Sequence, residues 1–239
     1  MSKKVFWCKN CLNMSTRPRI EFDNKCWCNA CQWSEEKKTF DWEGRKKELK
    51  KLLDKYRSNS GNFDCVVPVS GGKDGSYVAY TLKHKYGMNP LCITVAPALS
   101  LDLGDQNLKN FINSGYNHLH INPDVNIMQK LNKIGFVEKG FPYYGWLIAI
   151  QSAVIRTALN FNIPLLFYGE DGEVEYGGST ETKGNSLLSI DYQKKVWFEG
   201  GYDLVMSKVG NMKSSDLYFW NFPGDKEIGD KELHTATWS

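Results

Sequence analysis

Cys8 and Cys11, then Cys28 and Cys31, form two C-x2-C pairs separated by sixteen residues. Each pair at this spacing makes a knuckle, and two knuckles complete the four-sulfur tetrahedron of a zinc ribbon. Turn formers and a short apolar patch lie between them, too little core to fold unaided, so a bound metal supplies the missing stability. Four thiolates close the shell, which makes such a zinc structural rather than catalytic; ligand softness also admits iron. Cys26 offers a competing ligand, but Cys28 keeps the two-residue spacing that a knuckle turn needs.

A second group is "SGGKDGS", residues 70–76, set between "VVPV" and a renewed apolar pattern. Gly71 and Gly72 let the backbone approach an anion closely and adopt positive φ. Free N–H groups at a helix N-terminus bind phosphate, and Ser70 and Ser76 add hydroxyls. The spacing is neither that of the triphosphate P-loop nor that of a dinucleotide fingerprint. A third group, "GEDGEVEYGG", brings Glu170, Asp171, Glu173 and Glu175 together. Carboxylates beside phosphates are costly unless they bind Mg²⁺, take protons from a nucleophile or hold a substrate's N–H and O–H groups. A solvated acidic turn is the plainer alternative.

The elements that must position these groups alternate. "FDCVVPVS", "PLCITVAP", "YNHLHINP" and "IPLLFYGE" predict buried strands, with helices over "DGSYVAYTLKHKYG", "LGDQNLKNFINSG", "DVNIMQKLNKIG" and "YGWLIAIQSAVIRTALNFN". That alternation predicts a doubly wound parallel α/β sheet, Rossmann-like, behind a small N-terminal zinc ribbon. In a 3-2-1-4 strand order the fourth strand lies beside the first, so the acidic loop faces the glycine loop across the switch-point crevice. The organisation reads as a ribbon at 1–40, a linking amphipathic helix at 41–61, an α/β domain at 62–185 and a substrate-side region at 186–239. The last of these shows no clear terminal element. "FPYYGW" is an aromatic platform or, more ordinarily, core.

Composition narrows the class. At 239 residues, 41% hydrophobic and 24% charged, the chain suits one α/β domain with an appendage. A net charge of +3 is too small to argue for nucleic acid or membrane. The most apolar stretch is broken by Gln151 and closed by Arg156, too short to span a bilayer. Five of seven cysteines precede residue 32, unlike an extracellular disulfide scaffold, so a cytoplasmic protein with reduced thiols is expected. Cys65 and Cys92 fall inside strands as small core residues. The four histidines have no metal spacing.

Ser70 to Asp74 resemble the PP-loop, S-G-G-x-D-S, of the ATP pyrophosphatase superfamily, departing at Gly75 with Ser76 one place later. The ordered set of C-x2-C, "TRPRIEFD", "CNAC", "PVSGGKDGSY" and "GEVEYGG" further resembles the N-acetyl sugar amidotransferase family of lipopolysaccharide O-antigen and pseudaminic or legionaminic acid biosynthesis. The resemblance implies adenylation of a sugar acetamido oxygen, attack by ammonia to give an acetamidino group, and release of AMP and pyrophosphate. It implies ATP, Mg²⁺ and Zn²⁺ as cofactors. Ser70, Gly71, Gly72, Lys73, Asp74, Gly75, Ser76, Val95, Gly169, Glu170 and Asp171 are then nucleotide contacts. Asp74 is the magnesium ligand, and Lys73, Asp74, Glu173 and Glu175 are the catalytic residues. It further implies a separate glutaminase of the HisH type, with a HisF-type barrel, to deliver ammonia, and a C-terminal segment longer than the one here. A PP-loop tRNA-modifying thiolase and a non-catalytic nucleotide-binding scaffold are the alternatives.

Overall fold

Alternate strand residues face two separate apolar layers. In the computed structural model, which describes residues 4–170, 172–231 and 233–237, the sheet contains β1 (Cys65–Pro68), β2 (Pro90–Val95), β3 (Asn117–Ile121), β4 (Leu165–Tyr168) and β5 (His234–Thr237). Its order is β3-β2-β1-β4-β5 and every pair is parallel. Cys65, Val67, Cys92, Leu165 and Phe167 pack to one side; Val66, Leu91, Ile93, Leu166 and Tyr168 pack to the other. Burial on both faces is what a parallel sheet requires, and it explains the unbroken apolar runs of β1, β2 and β4.

One face carries α2 (Trp42–Tyr56), α3 (Lys73–Tyr80) and α4 (Asp102–Asn113). The helix α2 both connects and packs: Asp41 caps it through the Gly44 N–H at 2.9 Å, and Leu53 is buried under the sheet. The other face carries α5 (Val125–Lys139), α6 (Tyr144–Asn160) and the late helices α7 (Ile190–Tyr192) and α8 (Tyr202–Ser207). A short α9 (Asp225–Asp230) precedes β5, and α1 (Asn29–Glu36) belongs to the cysteine module.

Two expectations change. Gly135 does not end α5, which runs to Lys139 and stops at Gly140 in the left-handed conformation, φ 73°. A Cβ on Gly135 would lie 2.1 Å from that of Tyr144, so this glycine marks where α5 and α6 touch. The C-terminal region does hold a sheet element, because β5 pairs in register with β4 from Leu165↔His234 to Tyr168↔Thr237. The antiparallel bridge Leu187↔Ala236 covers its other edge. Among the described residues no helix is long and apolar enough to cross a membrane.

Candidate metal centre and nucleotide crevice

The four predicted thiols converge. The ligand atoms of Cys8, Cys11, Cys28 and Cys31 all lie within 4.8 Å of one another. Sγ–Sγ distances are 3.8 Å for Cys8–Cys31, 3.5 Å for Cys11–Cys28 and 3.7 Å for Cys28–Cys31. Tetrahedral zinc with Zn–S near 2.3 Å sets sulfurs about 3.8 Å apart, so the tetrad has the right size. The N–H groups of Asn10 and Cys28 point at the Cys8 sulfur from 3.4 and 3.2 Å. Burial pushes the Cys8 thiol up, but backbone donors outweigh it and set it down at about 6, as a thiolate ligand needs. Cys26 stands outside the tetrad, in the left-handed region at φ 57°.

The module is pinned to the loop after β4. Asn13, beside Cys11, donates to the Cys28 sulfur at 3.7 Å and to the Tyr176 carbonyl at 3.2 Å. Asn29, beside Cys28, donates to the Gly178 carbonyl at 2.7 Å. Arg19 donates to both oxygens of Glu173, at 2.7 and 2.9 Å, and to both of Glu199, at 2.8 Å each. Lys37 pairs with Glu175 at 2.6 Å. The cysteine module therefore fixes the position of 173–178.

The glycine loop sits at the carboxyl end of β1, where the chain turns to one face after β1 and to the other after β4. Gly71 has φ 80°, and a Cβ there would lie 2.7 Å from the Leu108 N, so no larger residue fits. Gly72 is the N-cap of α3 and no side chain caps this helix, which leaves first-turn N–H groups turned toward the crevice. Gly75, where a PP-loop carries Ser, allows a close crossing: its Cβ would lie 2.6 Å from the Pro68 carbonyl oxygen. Gly169 packs on the same turn, 3.0 Å from the Asp74 and Gly75 backbone by the same measure.

Two adjoining cavities open here. One, of about 340 Å³, is lined by Lys73, Asp74, Gly169, Glu170 and Glu175, with Lys37, Trp42 and Tyr176 at its rim. The other, of about 250 Å³, runs behind the loop, from Ser70, Gly72, Asp74, Gly75 and Glu170 at its mouth to Val95, Trp146, Gln151 and Tyr168 inside. Larger hollows, of about 550 Å³ between α2 and β5 and about 770 Å³ at the amino end of the sheet, touch neither loop. In a doubly wound sheet the carboxyl-end crevice is where ligands bind, so position outranks size. Lys73 and Asp74 pair at 2.6 Å and both are exposed. Partial burial, then Asp74 and Glu175, push the Glu170 carboxyl above its ordinary range.

Of the residues singled out in the sequence, Lys73, Asp74, Glu170 and Glu175 share one cavity with Gly169. Ser70, Gly72, Gly75 and Val95 line the other. Gly71 and the half-buried Ser76 line neither. Glu173 also stands outside both, its carboxylate taken by Arg19 and the Ser179 N–H at 2.9 Å. Asp171 lies outside the described residues. Sequence reasoning passed over Lys37, Tyr168 and Thr94, whose hydroxyl bridges the Val69 carbonyl and His118 Nε2 at 2.6 and 2.8 Å. In "FPYYGW", Tyr144 is core and the Trp146 indole donates to the Val95 carbonyl at 3.2 Å.

No protein-family model matches the chain. A stretch of 89 residues is 33% identical to an uncharacterized protein of Methanocaldococcus jannaschii, MJ1599, covering 37% of this chain and 32% of that one. The chain thus spans about a third of the length of the curated relative it matches. Among solved structures, a predicted subunit of tRNA methyltransferase from Methanocaldococcus jannaschii aligns over 70% of this chain and 72% of its own, at 18% identity and a TM-score of 0.31.

Proposed function

We propose that this chain is an ATP-dependent amidotransferase that converts the acetamido group of a sugar to acetamidino, in the assembly of bacterial surface glycans. The observation that carries the reading is a juxtaposition at the β1/β4 switch point. An uncapped helix N-terminus and bare glycine backbone stand on one side, and Glu170 and Glu175 stand across from Asp74. The loop N–H groups and Lys73 hold the β and γ phosphates of ATP. Asp74 and Glu170 are placed to hold Mg²⁺, which when bound offsets phosphate charge that would otherwise repel both carboxylates.

The amide carbonyl oxygen attacks the α-phosphorus, a P–O bond forms, and pyrophosphate departs with the electron pair of the broken bond. Ammonia then adds to the imidate carbon. The C–O bond breaks, AMP leaves with the former amide oxygen, and an amidine remains. Glu175, at the same cavity, is then the residue to take the protons that ammonium must shed. Glu173 serves the docking of the metal module. Ammonia comes from a separate glutaminase subunit. Sulfur transfer finds no support in the crevice: Cys65 and Cys92 are buried in the sheet, and burial pushes the Cys92 thiol up to about 12.

The test is an incubation with ATP, Mg²⁺, high ammonium and a panel of acetamido sugars, free and nucleotide-linked. Conversion lowers the sugar's mass by about one dalton and yields AMP in equal amount. Release of ADP, or AMP without a change in any sugar, overturns the reading.

A further inference from the structure

We propose that the cavity behind the glycine loop is an amide-recognition pocket, in which Gln151 and Tyr168 hold the acceptor's amide beside the phosphates. The proposal deepens the reading above and rests on it.

Both side chains are sealed from solvent, at 5% exposure for Gln151 and 3% for Tyr168. Gln151 Oε1 and the Tyr168 hydroxyl are nonetheless two of five buried side-chain atoms without a hydrogen-bond partner among the described residues. Folding normally pairs such groups, because an unpaired buried polar atom loses its water and gains nothing. Both line the same cavity of about 250 Å³, one from α6 and the other from the end of β4. Two residues from different elements, each with an orphaned polar atom, border one space at the carboxyl end of the sheet, and a ligand entering it could complete both.

Their chemistry defines that ligand. Gln151 Oε1 needs an N–H donor. Tyr168, whose phenol is kept protonated by burial, needs an acceptor. The remaining inner wall is apolar: Ile93, Val95, Ile150, Val154 and Trp146, whose indole N–H is already used. Phosphate and carboxylate offer no donor. An acetamido group offers all three features, an N–H, a C=O and a methyl for the apolar wall. An adenine edge also carries donor and acceptor. However, the mouth of this cavity is the phosphate loop itself, Ser70, Gly72, Asp74 and Gly75. The group to be adenylated must stand next to the α-phosphorus, which favours the acceptor here. The sequence resemblance makes Val95 a nucleotide contact, and AMP is therefore one of the probes below.

The arrangement also favours the reaction. As the carbonyl oxygen bonds to phosphorus and pyrophosphate leaves, the amide nitrogen gains positive charge. The N–H to Gln151 hydrogen bond then strengthens, so Gln151 supports the imidate more than the ground-state amide. Gln151 and Tyr168 are positioning residues in this sense, and Gln151 is the one expected to affect kcat as well as KM.

The test uses the zinc-loaded full chain and its Gln151→Leu and Tyr168→Phe variants. The probes are N-acetylglucosamine, glucose as the sugar without an amide, and AMP. Wild type should prefer N-acetylglucosamine over glucose. Each variant should lose that preference about tenfold, keep its AMP affinity within about twofold, and melt a few degrees higher because an orphan has been removed. Gln151→Met provides the same readout if Leu fails to fold. A tenfold loss of AMP affinity with the amide preference intact would make this a base pocket and overturn the proposal. Higher melting with no change in either ligand would leave only an ordered water there, and overturn it too. Absence of any amide preference in wild type has the same force. Turnover of an acetamido sugar that both variants perform like wild type sinks the pocket and leaves the reaction standing. A variant-sensitive amide preference without turnover of any sugar sinks the reaction and leaves the pocket standing.

Discussion

Carboxylates in two neighbouring regions of this molecule live under opposite rules. At the seam between the cysteine module and the loop after β4, Glu173 and Glu199 are both gripped by Arg19, while Glu175, paired with Lys37, stands on the border with the crevice. In the crevice a few residues away, Glu170 faces Asp74 and Glu175, and behind it Gln151 Oε1 and the Tyr168 hydroxyl lack a hydrogen-bond partner among the described residues. Polar groups that find partners within the chain hold the fold; polar groups left over in a cavity await something from outside. The comparison separates Glu173 from Glu170, which composition alone places in one acidic turn.

The largest effect should come from stripping the metal. Structural zinc in small modules is worth about 10 kcal/mol or more, and the cysteine module has little other core. Chelation, or Cys28→Ser, should open the module to protease while the sheet stays protected. It should also weaken ATP binding, because Asn13, Asn29 and Arg19 no longer hold the 173–178 backbone. A module that resists protease equally well without metal breaks the comparison on its structural side.

Next comes Gly75→Ala. The new methyl would lie 2.6 Å from the Pro68 carbonyl oxygen, so α3 must shift on β1 at a cost of about 1–3 kcal/mol. The shift moves the first turn of α3, so ATP affinity should fall by more than the melting point suggests. Calorimetric titration beside a thermal melt reads the two apart, and an unchanged ATP affinity would remove the turn from the binding site.

Much of this was readable because it rests on local signals. Apolar runs of four to six residues gave β1, β2 and β4, and paired C-x2-C spacing gave the tetrad, including Cys28 over Cys26. The short strand β5 was not readable: His-Thr-Ala-Thr has one buried apolar side chain, Ala236, and it is a strand only because β4 offers it a free edge. Arg19 and Glu173 are 154 residues apart, and nothing local announces their pairing. Tyr168 looks like any apolar strand residue until its hydroxyl is found buried without a hydrogen-bond partner among the described residues, on a residue that borders a cavity. Gln151 did leave a mark, as the lone amide in an apolar helix from Gly145 to Ile155, but its meaning depended on which cavity the helix faced.

Arg19→Met tests the seam more gently. Arg19 and Glu173 side chains are 31% and 20% exposed, so water screens part of their attraction and the loss should be about 1–2 kcal/mol. For a chain of this length that is a fall of several degrees in melting temperature. The double variant Arg19→Met/Glu173→Gln should recover part of it, since the unpaired carboxylate is gone. If the double variant is as weak as the sum of the two singles, the pair is not coupled and Glu173 returns to the crevice as a candidate for chemistry.

The smallest effect is the most diagnostic, because the two regions should titrate in opposite senses. Arg19 holds the Glu199 carboxyl below its ordinary value of 4.5. Its stabilisation is therefore full above that value and is lost as the pH falls through the lower, folded one. Glu170 is pushed above 4.5 by burial and by Asp74 and Glu175, so the folded chain holds its proton more tightly than the unfolded chain. Stability from Glu170 should thus rise as the pH falls from neutral toward 4.5, and fall again on the way back. Along the neutral limb, from about pH 7 toward about pH 5, melting temperature should rise by a degree or two, a small change because water partly screens Glu170. The acid limb from Glu199, on which protonation of the zinc thiolates is superimposed, is read as the difference between wild type and Glu199→Gln. Glu170→Gln should flatten the neutral limb alone, and Glu199→Gln should remove its own part of the acid limb alone. Millimolar Mg²⁺ should flatten the neutral limb in wild type, since a cation between Asp74 and Glu170 removes their repulsion. If Mg²⁺ leaves that limb unchanged, the carboxylates of the crevice are not a cation site, and Glu170 is a strained acid without the role given to it.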